Sequence, residues 1–293
     1  MKVQLNTNQS CSYCANKKKE RNVGKSIVSA AAGAVSVPLF YLGQLFCVDK
    51  MVKLNEGLSE KSIEQVNNAA SKILNTSGLR KDGVKVFYVE QMSKGHFLSP
   101  ARPENGRNSM FIPKKVLGYT LKKCGNLIVV PEKSLYTSIF HELGHAMTHN
   151  FSSFGRNVLQ SPFLRGIPRS LAPYAAMLVL PFTSKRNENV MEEERKKAKM
   201  HNFMRDNAYL FMAGLSAVTI LEEVLASLKG QKLAKGLLSK EAESIMKKTN
   251  LYSAGSYVLS SCLLTLPFYV VPRVKDLLVE RSKNKNNNKK GVV

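Results

Sequence analysis

Apolar positions along this chain fall into three kinds of pattern, and each predicts a different element. Unbroken apolar runs come first: residues 26 to 48 and 251 to 272 contain no charged side chain and are long enough to cross a hydrocarbon core of about 30 Å as helices. Two further runs are shorter or interrupted, 170 to 184 by Pro173 and Pro181 and 207 to 228 by Glu222 and Glu223; these read as spans or re-entrant helices. Helical spacing marks the second kind. Leu58, Ile63, Val66, Ala70, Ile73 and Leu74 recur on one face and predict an amphipathic soluble helix ending near Gly78. Short β-rich stretches are the third kind: 84 to 89, 110 to 112 and 125 to 130 predict three strands, with a polar loop from 93 to 108 between the first two.

Together these elements predict an α+β chain, mostly α, with a soluble domain over 49 to 165 inserted among two to four transmembrane helices. Residues 1 to 25 read as a disordered basic tail and 26 to 48 as an anchor, uncleaved because Phe46-Cys47-Val48 offers no small-x-small site. A short membrane or re-entrant segment is expected over 166 to 184, and a charged loop over 185 to 206. Within that loop the run Glu192 to Lys197 reads as a solvated helix, with opposite charges three and four apart. An apolar helix over 207 to 228, an amphipathic linker over 229 to 250, a transmembrane helix over 251 to 272 and a basic tail over 273 to 293 complete the order.

Charge changes this picture only in detail. The net charge of +23 would suit nucleic acid if it lay on one soluble face with a readout motif, but no such motif is present. Instead the basic runs flank the apolar segments: Lys17 to Lys19 and Lys25 before the first, Lys196, Lys197 and Lys199 before 207, and Lys283 to Lys290 after the last. That placement fits membrane orientation and anionic headgroups, so membrane lipids are expected partners and nucleic acid is not. Putting 1 to 26, 185 to 206 and 273 to 293 in the cytoplasm sets the soluble domain outside in a four-span arrangement. Of five cysteines, Cys11 and Cys14 form a lone CxxC without a second pair, and Cys47, Cys124 and Cys262 suggest no disulfide framework. The sequence carries no signal for an oligomeric state.

Candidate chemistry centres on Ser138 to Met147. On a helix expected from about Ser134 to His149, His141 and His145 share one face, so both imidazoles can reach one Zn²⁺ while Glu142 faces its bound water. Zinc lowers the pKa of that water to roughly 7 and a neighbouring carboxylate takes its proton. The motif's other positions, Ser138, Ile139, Leu143, Gly144, Ala146 and Met147, are uncharged, as suits a helix buried beneath an active site. The strand before this helix, 125 to 130, is the expected docking edge for an extended substrate. His149 lies about 6 Å further along the axis, too far to share the ion comfortably, so an outer or substrate-facing role is expected. Thr148 and Phe151 stand where a metzincin needs Gly and His. His201 reads as a loop or interface residue. Glu222 and Glu223, two carboxylates in an apolar helix, are functional candidates by their cost alone.

The run His141-Glu142-Leu143-Gly144-His145-Ala146-Met147-Thr148-His149, followed by two apolar segments and Glu223-Val224-Leu225-Ala226-Ser227, resembles the bacterial membrane zinc metallopeptidases of the YugP type. It is similar more loosely to the gluzincin membrane proteases that process prenylated or heat-damaged membrane proteins. The likeness extends to Ala69 to Val89 and Leu164 to Pro181, about half the chain. It implies a zincin-like domain in a bacterial inner membrane, a protein or peptide substrate, His141, His145 and Glu223 as zinc ligands and Glu142 as general base. The second branch carries Asp where Ser227 stands, so the chain leans to the first. A zinc-binding membrane scaffold or chaperone without proteolysis is the alternative. Helical directions favour Glu223 over Glu222 as well, because Glu223, Ala226 and Ser227 share a face that offers a small residue and a hydroxyl beside the histidines. Tyr252, Tyr257 and Arg273 are candidates to stabilise an oxyanion.

Overall fold

The computed structural model describes residues 23–89, 110–113, 115–116, 119–120, 126–131, 135–161, 163–164 and 178–290. The Cys11 and Cys14 pair, most of the expected tail, the 93 to 108 loop, Ser134 and 170 to 177 lie outside them. Seven helices are described: α1 (Val23–Ala34), α2 (Ser36–Glu56), α3 (Glu60–Thr76), α4 (Ser138–Phe151), α5 (Glu192–Asp206), α6 (Ala208–Ala234) and α7 (Lys240–Lys290). Five short strands accompany them: β1 (Lys85–Val89), β2 (Met110–Ile112), β3 (Lys115–Val116), β4 (Tyr119–Thr120) and β5 (Leu127–Pro131). The chain is mostly helical with a small sheet. Helices α6 and α7 are each long and apolar enough to cross a membrane.

Three expectations change here. The apolar run 26 to 48 is not one helix: it divides at Val35 into α1 and α2, neither of which is long and apolar enough to span by itself. The linker expected over 229 to 250 does not exist as a separate element, since α6 runs on to Ala234 and α7 opens at Lys240. Residues 251 to 272 are therefore the middle of a 51-residue helix, roughly 76 Å long at 1.5 Å per residue. That is more than twice a hydrocarbon core. The α7 residues Ala242 and Met246 enter the same core as α3, α4 and the sheet, so its first turns belong to that core. Pro267 and Pro272 sit within it; Arg205 Nη2 donates to the Pro272 carbonyl at 3.1 Å.

α1 and α2 run antiparallel to α7. Gly33 lies against Pro267 and Val271, Gly43 against Leu259, and Gln44 Nε2 donates to the Ser256 carbonyl at 3.1 Å and to the Ser260 hydroxyl. Small residues and sparse polar bonds are how helices associate where the surroundings are as apolar as the side chains. The outer faces of these helices expose Ile27, Leu42, Phe46, Leu251 and Val258. At one end of the array the basic segments meet. Arg205 grips Asp276 through both Nη1 (2.9 Å) and Nη2 (2.8 Å), Lys185 pairs with Asp206 at 3.0 Å, and Ser26 and Lys275 both donate to the Pro181 carbonyl.

At the other end, Asn55 of α2 organises the start of α4. Its Oδ1 accepts from the Thr137 backbone N–H at 3.0 Å and from Thr137 Oγ1 at 2.7 Å, while Nδ2 donates to the Met51 carbonyl (2.8 Å) and Thr249 Oγ1 (3.0 Å). This bond satisfies a helix N-terminal N–H that has no partner inside the helix, and α4 accordingly begins at Ser138 rather than near 134. Replacing Asn55 by Ala strips four bonds from a buried cluster, so a loss of about 1–3 kcal/mol or more is expected in chemical denaturation.

The sheet has order β1-β5-β2, with β1 parallel and β2 antiparallel to β5. The strand before the metal helix is thus central, paired on both sides, and cannot be the docking edge. Against this sheet and α3 lies a core of Val66, Ala70, Ile73, Ile128, Val130, Ile139, Phe140 and Leu143; eleven of the fourteen residues of α4 are buried. The crossing of α4 with α6 depends on two glycines. A Cβ on Gly144 would stand 2.0 Å from the Ala226 carbonyl oxygen, and one on Gly230 would stand 2.1 Å from that of Phe140. Backbone cannot yield as a side chain can. We expect Gly230→Ala to cost more than the roughly 1–3 kcal/mol of ordinary overpacking, read as a lowered thermal midpoint.

Candidate metal centre

Two helices, crossing closely because of those glycines, bring the chemistry together. α4 supplies His141 and His145 one turn apart, and α6 supplies Glu223 opposite them; all three are buried. His141 Nε2 lies 2.9 Å from His145 Nε2 and 3.1 Å from Glu223 Oε2, which is 3.3 Å from His145 Nε2. The three form a group that can hold a metal ion. A tetrahedral ion with ligands at 2.0–2.1 Å separates them from one another by about 3.3 Å, so the triangle is close to the size a small divalent cation requires.

The outer ring nitrogens explain why these atoms point inward. His145 Nδ1 lies 2.6 Å from Glu222 Oε1, and a carboxylate can only accept, so this nitrogen carries the proton. His141 Nδ1 lies 2.9 Å from Ser227 Oγ, which accepts from it in the tautomer that leaves Nε2 with its lone pair. Each imidazole is thereby oriented by a partner on α6. Three lone-pair atoms at these separations repel one another unless a proton or a cation lies among them. Electrostatics agree: burial would push the His145 imidazole down, but Glu222 and Glu223 outweigh it and hold it well above the ordinary histidine value.

Glu142 is buried on α4, about 100° round the helix from His141 and 60° from His145. His149 is not a ligand in this arrangement. Its Nδ1 lies 3.1 Å from Gln160 Oε1, its ring packs against Phe111 at 5.8 Å, and burial lowers its pKa. His201 is remote from the centre, beside the Ser184 carbonyl. Arg273 is not near it either: its guanidinium stacks 3.6 Å over Tyr269 and 5.5 Å from Tyr209, and Tyr209 precedes Glu223 on α6 by roughly 21 Å of helix.

Glu222 is the residue that sequence reasoning placed least well. Set aside as a ligand in favour of Glu223, it is buried and carries the bond to His145 on the neighbouring helix; its adjacency to Glu223 inside an apolar helix was the available signal. Gln160, at the end of a π-helical turn over Gly155–Leu159, donates through Nε2 to Glu222 Oε1 at 2.8 Å and to the His145 carbonyl at 3.0 Å. Nothing in its local sequence marks it. No protein-family model, curated protein or solved structure matches this chain.

Proposed function

We propose that the chain is a zinc-dependent membrane endopeptidase of zincin-like architecture, similar to the YugP-type enzymes, which hydrolyses peptide bonds of membrane or membrane-adjacent proteins. The observation that carries this reading is the convergence of His141, His145 and Glu223 with Glu142 between the two histidines on one buried helix. Two nitrogens and one carboxylate oxygen would suit zinc, and a set of three protein ligands rather than four is the pattern of catalytic rather than structural sites. Bound zinc supplies Lewis acidity and a water acidified to a pKa of about 7.

The protein's own groups do the rest. Glu142 takes the proton of the attacking water and returns it to the departing amine. Glu222 and Ser227 keep the two imidazoles aimed. Among the described residues β2 pairs with β5 alone, so its outer edge, next to α4 through Phe111 and His149, is where an extended polypeptide can add a strand. That α6 and α7 are long and apolar enough to cross a membrane supports a site beside a bilayer, and the resemblance points to a bacterial inner membrane.

A zinc-binding scaffold or chaperone without proteolysis would keep the ligands, but it would have little use for a buried Glu142. Zinc content and casein cleavage by the detergent-solubilised full chain test the reading. About one zinc per chain, with cleavage lost on chelation and restored by zinc, is the expected result; stoichiometric zinc without cleavage of any peptide would favour the scaffold.

A further inference from the structure

We propose that Gln160 is a positioning residue for the metal centre, acting through Glu222 on His145. The inference rests on the metal-site reading above and adds a third layer to it. A primary amide has two N–H donors and one acceptor oxygen, and here each has its own task. One N–H goes to Glu222 Oε1 at 2.8 Å and the other to the His145 carbonyl at 3.0 Å, while Oε1 accepts from His149 Nδ1 at 3.1 Å.

The amide cannot be turned round. Exchanging its oxygen and nitrogen would set an acceptor against both a carboxylate and a carbonyl; the amide oxygen therefore faces His149 Nδ1, and the proton between them sits on that nitrogen. Gln160 therefore fixes the oxygen of Glu222 that receives the His145 Nδ1 proton at 2.6 Å, and with it the tautomer that leaves His145 Nε2 available to the ion. His149 completes the arrangement from outside. Burial lowers its pKa, and its Nδ1–H donates to the amide oxygen at 3.1 Å. Gln160 also ties the end of the π-helical turn after α4 to α6, so the aim of the histidines depends on a residue that is not itself in the His141, His145 and Glu223 group.

The test uses the detergent-solubilised full chain and three variants. Zn²⁺ affinity is measured by competition with a chromophoric chelator, the cobalt(II) visible spectrum reports coordination geometry, and the metal-free thermal midpoint controls for folding. Gln160→Met, of similar length without the donors, is expected to weaken zinc about 10- to 100-fold, the usual worth of an outer partner of a ligand, and to shift the cobalt bands. Gln160→Glu keeps the shape but sets a carboxylate against Glu222, so its loss should exceed that of Gln160→Met. His149→Phe, which frees the amide oxygen, should lose severalfold. Affinities within twofold of wild type in all three, or Gln160→Glu binding as well as wild type, would overturn the proposal while leaving the metal site standing. A wild-type chain that takes up no divalent ion overturns both. Should Gln160→Met fail to fold, His149→Phe decides, and an unaltered cobalt spectrum there counts against the proposal.

Discussion

Glu142→Gln is expected to keep its zinc and to lose peptide hydrolysis by about 10²- to 10⁴-fold, the range a positioned proton acceptor contributes. The two halves of that result have separate causes. Metal retention follows because the group that can hold the ion, His141, His145 and Glu223, is untouched, and the amide of Gln is close in size to the carboxylate it replaces in a helix with no room to spare. The loss of turnover follows because an uncharged amide cannot accept the proton released as water attacks. Zinc by elemental analysis and cleavage of casein, measured on one preparation, report both halves. Near wild-type cleavage in this variant would remove Glu142 from the mechanism and reopen the scaffold reading.

What the sequence made legible is what repeats locally. The four-residue spacing of His141 and His145 puts them on one face of any helix, and the uncharged positions around them, Ser138, Ile139, Leu143, Gly144, Ala146 and Met147, suit a buried helix; the structure places α4 in the core with both rings together. The strand stretches 84 to 89, 110 to 112 and 125 to 130 contain β1, β2 and β5 to within two residues, and α3 follows the spacing of Val66, Ala70 and Ile73. Helix ends were less legible because partners far along the chain determine them. Asn55 binds Thr137, the residue before the first turn of α4, from 82 residues away.

The same physical reason hid the rest. Gly230 looks unremarkable in Leu228-Lys229-Gly230-Gln231, yet it is the point where α6 meets the Phe140 carbonyl. The charge-free run 26 to 48 reads as one span, whereas the structure divides it at Val35, shortly before Pro38, which has no N–H to give the Ala34 carbonyl. It also stopped the last helix at 272, because charge marks where a membrane ends, not where a helix does. Sheet order lay beyond pattern too: β5 precedes the metal helix directly, but β2 inserts on its other side and takes the edge.

The separation of Glu222 from Glu223 is the sharpest consequence of the geometry. Successive helical residues point about 100° apart, and here both directions are used: Glu223 Oε2 faces the two Nε2 atoms, and Glu222 Oε1 faces His145 Nδ1 behind the ring. Glu223→Ala removes one of three ligand atoms, so the variant is expected to purify without zinc and to be inactive. Glu222→Ala removes an outer partner and leaves a buried imidazole N–H and the Gln160 amide short of an acceptor, at roughly 1–3 kcal/mol of stability. Its zinc affinity should fall by about 10- to 100-fold, so it refills at saturating zinc and gives up the ion to a chelator that wild type withstands. A titration of both variants against one chelator separates the roles. Zinc lost from Glu222→Ala and held by Glu223→Ala would exchange the two assignments. Tight zinc in both would place the third ligand outside α6 altogether, with the His149 imidazole the first group to test.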